Sequence, residues 1–247
     1  DPGIVGVSQG AALGAVAAIV LGAAAVGSWV IPLAAFAGGG AAITATYLLA
    51  RPGRGTGNAT LLLVGIAMAA FCSALIGFFT YIASEAELQS LVFWQMGSLA
   101  SADWQDVAAV APLFAAGALA VWRLATPLDM LALGERQAQH LGLDVPRTRR
   151  QLVMFSALLV GSAVAFAGAV SFVGLVVPHV ARLLVGPGHR GLLPVSGVVG
   201  AVLIVVSDTL ARTLDPPAEI PLGLFSAALG APFFLWLVLQ QRRGSGA

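Results

Sequence analysis

Apolar residues fall in long unbroken runs, approximately over 4–25, 29–50, 58–83, 106–125, 151–170, 173–185, 192–213 and 221–240. None alternates with a period of two. In lipid only helices or closed barrels satisfy every backbone group, so the pattern predicts an all-α, polytopic transmembrane bundle of about eight membrane segments. A full crossing takes about 20 residues, which makes 173–185 short for a spanning helix. Between the fourth and fifth runs the pattern breaks. Residues 126–150 hold seven charged side chains (Asp129, Glu135, Arg136, Asp144, Arg147, Arg149 and Arg150) in a chain that is otherwise mostly hydrocarbon. Thr126, Pro127 and Asp129 suit a helix start, with Asp129 completing a capping box. Leu128, Leu131, Ala138 and Leu141 keep one face apolar, Gly142 is a stop, and Asp144 with Pro146 starts the next turn. The expectation is two short helices joined at a glycine, a rigid surface for another protein to push. An interfacial connector is the plain alternative.

Hydrophobic residues make up 59% of the chain and charged residues 9%, against about 25% charged in a soluble domain. This composition makes the chain one integral membrane domain over 1–247. A net charge of +1 gives no pull toward nucleic acid, and every basic residue is Arg. Arg51, Arg54, Arg123, the four arginines of 126–150, Arg182, Arg190, Arg242 and Arg243 fall on one side if the spans alternate. Glu85, Glu87, Asp103, Asp215 and Glu219 fall on the other, with Arg212 as the lone arginine there. The positive-inside rule then places both ends and residues 126–150 in the cytoplasm. Trp29, Trp94 and Trp104 lie near the outer ends and Trp122 and Trp236 nearer the inner ones, as in an aromatic belt. The Gly10/Gly14 pair, Gly38-Gly39-Gly40 and Gly197/Gly200 predict close helix packing. Ile4–Val7 resembles Phe172–Leu175, and Leu63–Ile66 resembles Pro221–Leu224, each pair running in opposite directions. That is the trace an inverted repeat leaves.

Candidate chemistry is sparse. Gly6-Val-Ser-Gln-Gly10 matches G-x-S-x-G, but that motif needs a strand-to-helix elbow and a converging His, for which His179 is the candidate. The flanks read as membrane helix. His140, His179 and His189 share no ligand spacing and Cys72 is the lone cysteine, so no metal site and no cofactor is expected. Pro178 and His179 are expected to kink and polarise the short helix. Asp208 and Arg212 are spaced for an i, i+4 pair that lowers the cost of both near lipid. No Lys exists in the chain, so no P-loop does. ATP-driven transport would therefore borrow its ATPase. A secondary transporter would need embedded carboxylates, of which Asp208 is the nearest. An intramembrane serine hydrolase would need Ser8 and His179 to meet.

Phe93-Trp-Gln-Met-Gly-Ser-Leu99, Leu131-Ala-Leu-Gly-Glu135 with His140-Leu-Gly142, and Gly168 through Arg182 resemble the permease of iron-siderophore, haem and vitamin B12 ABC importers. His189–Pro194, Ser207–Arg212 and Leu222–Phe233 continue the likeness along essentially the whole chain. The resemblance implies ten helices, of which the first two are absent here, in keeping with a chain that opens on Asp1 rather than Met. It implies a homodimer in the bacterial inner membrane, two cytoplasmic ATPase subunits that bind ATP and Mg, and a substrate-binding protein outside. Leu131, Ala132, Leu133, Gly134, Glu135, Ala138, His140, Leu141 and Gly142 would be the coupling helices seated on the ATPase. Arg212 would dock the binding protein. Asn58 and Ala59 would lie at the cytoplasmic gate, where Gly57-Asn58-Ala59 replaces a hydroxyl-rich turn. The implied cargo is an iron-siderophore first, then haem, then cobalamin.

Overall fold

The computed structural model describes residues 6–23, 27–50, 58–214 and 220–244. Among them every regular element is a helix. In chain order these are α1 (Val7–Val20), α2 (Val30–Ala50), α3 (Asn58–Ile82), α4 (Glu85–Met96), α5 (Trp104–Arg123) and α6 (Ala125–Ala132). There follow α7 (Glu135–His140), α8 (Val145–Ala167), α9 (Val173–Val185), α10 (His189–Thr213) and α11 (Leu222–Gly244). Five are long and apolar enough to cross a membrane: α2, α3 from Thr60 onward, α5, α8 and α10. Among the described residues three further apolar helices are shorter than a crossing, so five of the eight expected segments have spanning length: α1, α9 and the stretch Leu222–Phe233 of α11 are the short ones.

Lipid tails are as apolar as leucine, so close backbone packing has to hold such a bundle together. Small residues supply it around α1, which packs on α2, α3, α4 and α8. Gly10 and Gly14 lie directly against Gly38, Ala34 and Ala42 of α2, with no room for a side chain at either. Ala11, Ala15, Ala35, Val164 and Ala165 form the dry centre, covered by Phe36, Trp94 and Phe166. Gly197 differs from expectation: it faces open space. Large apolar side chains point outward, among them Leu63, Phe71 and Phe78 of α3 and Val198, Val202 and Val205 of α10. A soluble surface does not tolerate such a band; a hydrocarbon one does.

Three boundaries depart from the apolar pattern. Ser84 and Glu87 form a capping box that starts α4 immediately after α3, where the sequence suggested only a loop. α5 runs through Leu124 almost directly into α6, so Thr126 caps nothing and Asp129 completes no capping box. α8 starts at Val145, capped by Asp144, whose Oδ1 accepts the Arg147 N–H at 3.1 Å. Arg147, Arg149 and Arg150 therefore ride on the first turns of a 23-residue helix rather than on a short one.

Of the Ile4–Val7 and Phe172–Leu175 likeness, Ile4 and Val5 lie outside the described residues. Gly6 and Phe172 each hold a left-handed turn at the head of a short helix, φ 88° and 65°. The four-residue match, however, aligns Gly6 with Gly174.

Candidate functional site

The helices carry polar residues to two ends. At the acidic end the α4–α5 and α8–α9 connections meet the start of α11. Ser98 donates to the Ala167 carbonyl at 3.1 Å and Leu222 to that of Gly97 at 2.9 Å. Gly97, Gly168 and Gly223 have no space for a Cβ there. Arg212 pairs with Asp208 at 2.9 Å, the i, i+4 contact its spacing predicts, and also donates to the Leu99 carbonyl at 2.9 Å. Its side chain remains 42% exposed. Nothing in the sequence signalled the Leu99 contact, which lies 113 residues away.

At the arginine-rich end, residues 126–150 build a platform. Leu133 and Gly134 end α6, and Gly134 (φ 111°, ψ 148°) turns the chain into α7 in a conformation essentially restricted to glycine. α7 then closes in a Schellman motif: Leu143 donates to the Ala138 carbonyl and Gly142 (φ 88°) to that of Gln139. The joint between the two short helices is thus Gly134, with Gly142 closing the second, which corrects the expectation of a single joint at Gly142. Glu135 pairs with Arg149 of α8 across this turn.

The platform also grips α10. Oδ1 of Asp129 accepts the His189 backbone N–H at 3.0 Å and lies 2.6 Å from His189 Nδ1. The His189 backbone N–H, then its side chain, holds the Asp129 carboxyl below its ordinary range. Trp122 donates its indole N–H to the Arg190 carbonyl at 3.2 Å, and the Arg190 guanidinium sits 5.8 Å from the Trp122 ring centre.

Burial sorts the expected coupling residues. Ala138, expected among the residues seated on a partner, is fully enclosed by its own chain. Leu133 (64% exposed) and Leu141 (58%) instead stand out from the chain's own surface. Ala132, His140 and Gly142 are exposed beside them, and Leu131 and Glu135 are half-buried. Two exposed leucines thus stand on a connector whose base is fastened to α8 and α10. Asn58 and Ala59 open α3, but their side chains lie outside the described residues.

Ser8 sits in the first turn of α1, directly after the left-handed Gly6; what precedes Gly6 lies outside the described residues. His179 of α9 meets Phe233 edge-on, ring centres 6.5 Å apart. Among the described residues no group of three His, Cys, Asp or Glu side chains converges.

Several crossing-length apolar helices with a fastened, charge-rich connector at one end define a polytopic membrane protein. The chain belongs to the FecCD transport family, which it matches over residues 1–240. It is 41% identical to the hemin transport system permease protein of Yersinia pestis, over 98% of this chain and 73% of that protein. It is 43% identical to the cobalamin import system permease protein of Halobacterium salinarum, over 96% of this chain and 63% of that one. A solved structure of a metal-chelate type ABC transporter in an inward-facing conformation superposes with a TM-score of 0.90 at 32% identity. That match covers 97% of this chain and 76% of the solved one.

Proposed function

We propose that this chain is the membrane-spanning subunit of a binding-protein-dependent ABC importer that moves a bulky metal chelate into the cytoplasm. The observation that carries the reading is the platform of residues 126–150, fastened at Asp129, Trp122 and Glu135, with Leu133 and Leu141 exposed on it. A chain without Lys has no P-loop of its own. The platform is then where two ATPase subunits, which bind ATP and Mg, push on a homodimer of this chain. The arginine-rich end faces the cytoplasm of a bacterial inner membrane by the positive-inside rule, and Arg212 faces the binding protein outside. Transport is alternating access, with α3 and its start at Asn58 and Ala59 lining the gate across the dimer axis. The cargo is an iron-siderophore, haem or cobalamin; relatives named for hemin and for cobalamin match with similar identity.

A secondary transporter would use a free embedded carboxylate, and Asp208 is already held by Arg212. The deciding experiment is uptake into liposomes carrying the permease, its ATPase and its binding protein. Accumulation of radiolabelled haemin, cyanocobalamin or a ferric hydroxamate that requires ATP and the ATPase supports the proposal. Accumulation driven by an ion gradient without the ATPase contradicts it.

A further inference from the structure

We infer that α10 is the strut that carries motion of the coupling platform across the membrane, and that Asp129, His189 and Trp122 are the positioning residues that fasten it. This rests on the coupling assignment above and extends it to a specific joint.

The argument begins with what α10 lacks. Its first turn leaves backbone N–H groups without helical acceptors, as every helix does. The residue before it is Gly188, which offers no side-chain cap. Asp129 supplies that cap from another helix, 60 residues away in sequence, by accepting the His189 N–H. A carboxylate at a helix N-terminus is favoured both by the hydrogen bond and by the helix dipole.

The second gap is made by Pro194, which lies inside α10. A proline has no N–H, so the carbonyl four residues before it, that of Arg190, loses its helical donor. Trp122 fills this gap with its indole N–H at 3.2 Å. The free donor and the free acceptor of the same turn are therefore both satisfied where the platform begins, one from α6 and the other from the end of α5.

Counted from this turn α10 runs as one helix of 25 residues, about 37 Å at 1.5 Å per residue. Its far end holds Arg212, fixed by Asp208 and the Leu99 carbonyl, and the Ala211 carbonyl, which accepts Ile220 N–H at 3.4 Å. A displacement of α6 together with the end of α5 cannot leave the first turn of α10 behind without exposing two backbone groups. The helix delivers that displacement to the acidic end, where the proposed docking arginine sits.

The test uses the whole importer in liposomes and reads haemin, cyanocobalamin or ferric hydroxamate taken up per ATP hydrolysed, whichever probe the wild type accumulates. Asp129→Ala is expected to lower that ratio about tenfold while the ATPase still co-purifies. Asp129→Asn keeps a capping oxygen and is expected to stay within about twofold of wild type. In a Cys72→Ala background, Asp129→Cys with His189→Cys is expected to lose coupling and to regain it when a short bifunctional thiol reagent joins the pair. Asp129→Ala at the wild-type ratio, or a bridged pair that cannot transport, overturns the strut. Failure of the coupling assignment itself reads differently: Leu133→Arg would then retain the ATPase and transport.

Discussion

Glu135 in the first turn of α7 pairs with Arg149 of α8, fourteen residues on, so the turn at Gly142 is closed by an ion pair as well as by its backbone. Ala138 lies inside that closure with no exposed surface. Ala138→Trp is therefore expected to unseat α7 from its own chain, lowering the melting temperature of the purified permease before any partner is added. A permease that melts like wild type and loses only its ATPase would return Ala138 to the partner surface.

Gly134 and Gly142 differ in what they tolerate. Gly142 is left-handed, a conformation Asn adopts at modest cost, whereas Gly134 lies where only glycine is comfortable. Gly142→Asn is expected to keep uptake, and Gly134→Ala to destabilise the platform by about 1–3 kcal/mol, checked by thermal melting and by uptake.

Two glycines of the bundle separate close packing from composition. A side chain at Gly14 would run into the Ala34 carbonyl, a backbone atom that cannot step aside. Gly14→Val is expected to abolish a monodisperse peak in detergent, while Gly197→Ala, which meets open space, leaves it unchanged.

Asp129 fixes a pH limit. Its carboxyl is held below the ordinary value of 3.8 in the folded protein, so its contribution is complete above that value and is lost as the pH falls through the lowered one. The melting advantage of wild type over Asp129→Asn should therefore be steady just above that value and shrink as the pH is lowered beneath it. An advantage that does not shrink there would contradict the assignment.

The bundle was legible because hydrocarbon runs and arginine placement are local signals, and the position of the platform was legible because charge is scarce elsewhere. The spacing of Asp208 and Arg212 gave their pair for the same reason. What was hidden depends on distant chain segments meeting. Asp129 read as a local capping residue because its acceptor role within its own helix start was the only one visible. Its real partner, His189, stands behind a Gly-Pro-Gly turn with no mark of the contact. Burial of Ala138 was likewise invisible, since the helix face it shares with Gly134 is interrupted where Gly134 turns the chain. The α3–α4 boundary was written in Ser84 and Glu87 as a capping box, a signal that was present and passed over.

The central claim, that residues 126–150 receive the ATPase through Leu133 and Leu141, is tested most directly by co-purification. Both side chains are largely exposed, so Leu133→Arg with Leu141→Arg should leave folding and insertion intact. An interfacial connector would accept arginine in the headgroup region, whereas a docked apolar surface would not. The account predicts a permease of wild-type melting temperature that loses its ATPase by at least about tenfold and transports nothing. Stoichiometric ATPase on the doubly substituted permease, with uptake preserved, would contradict it.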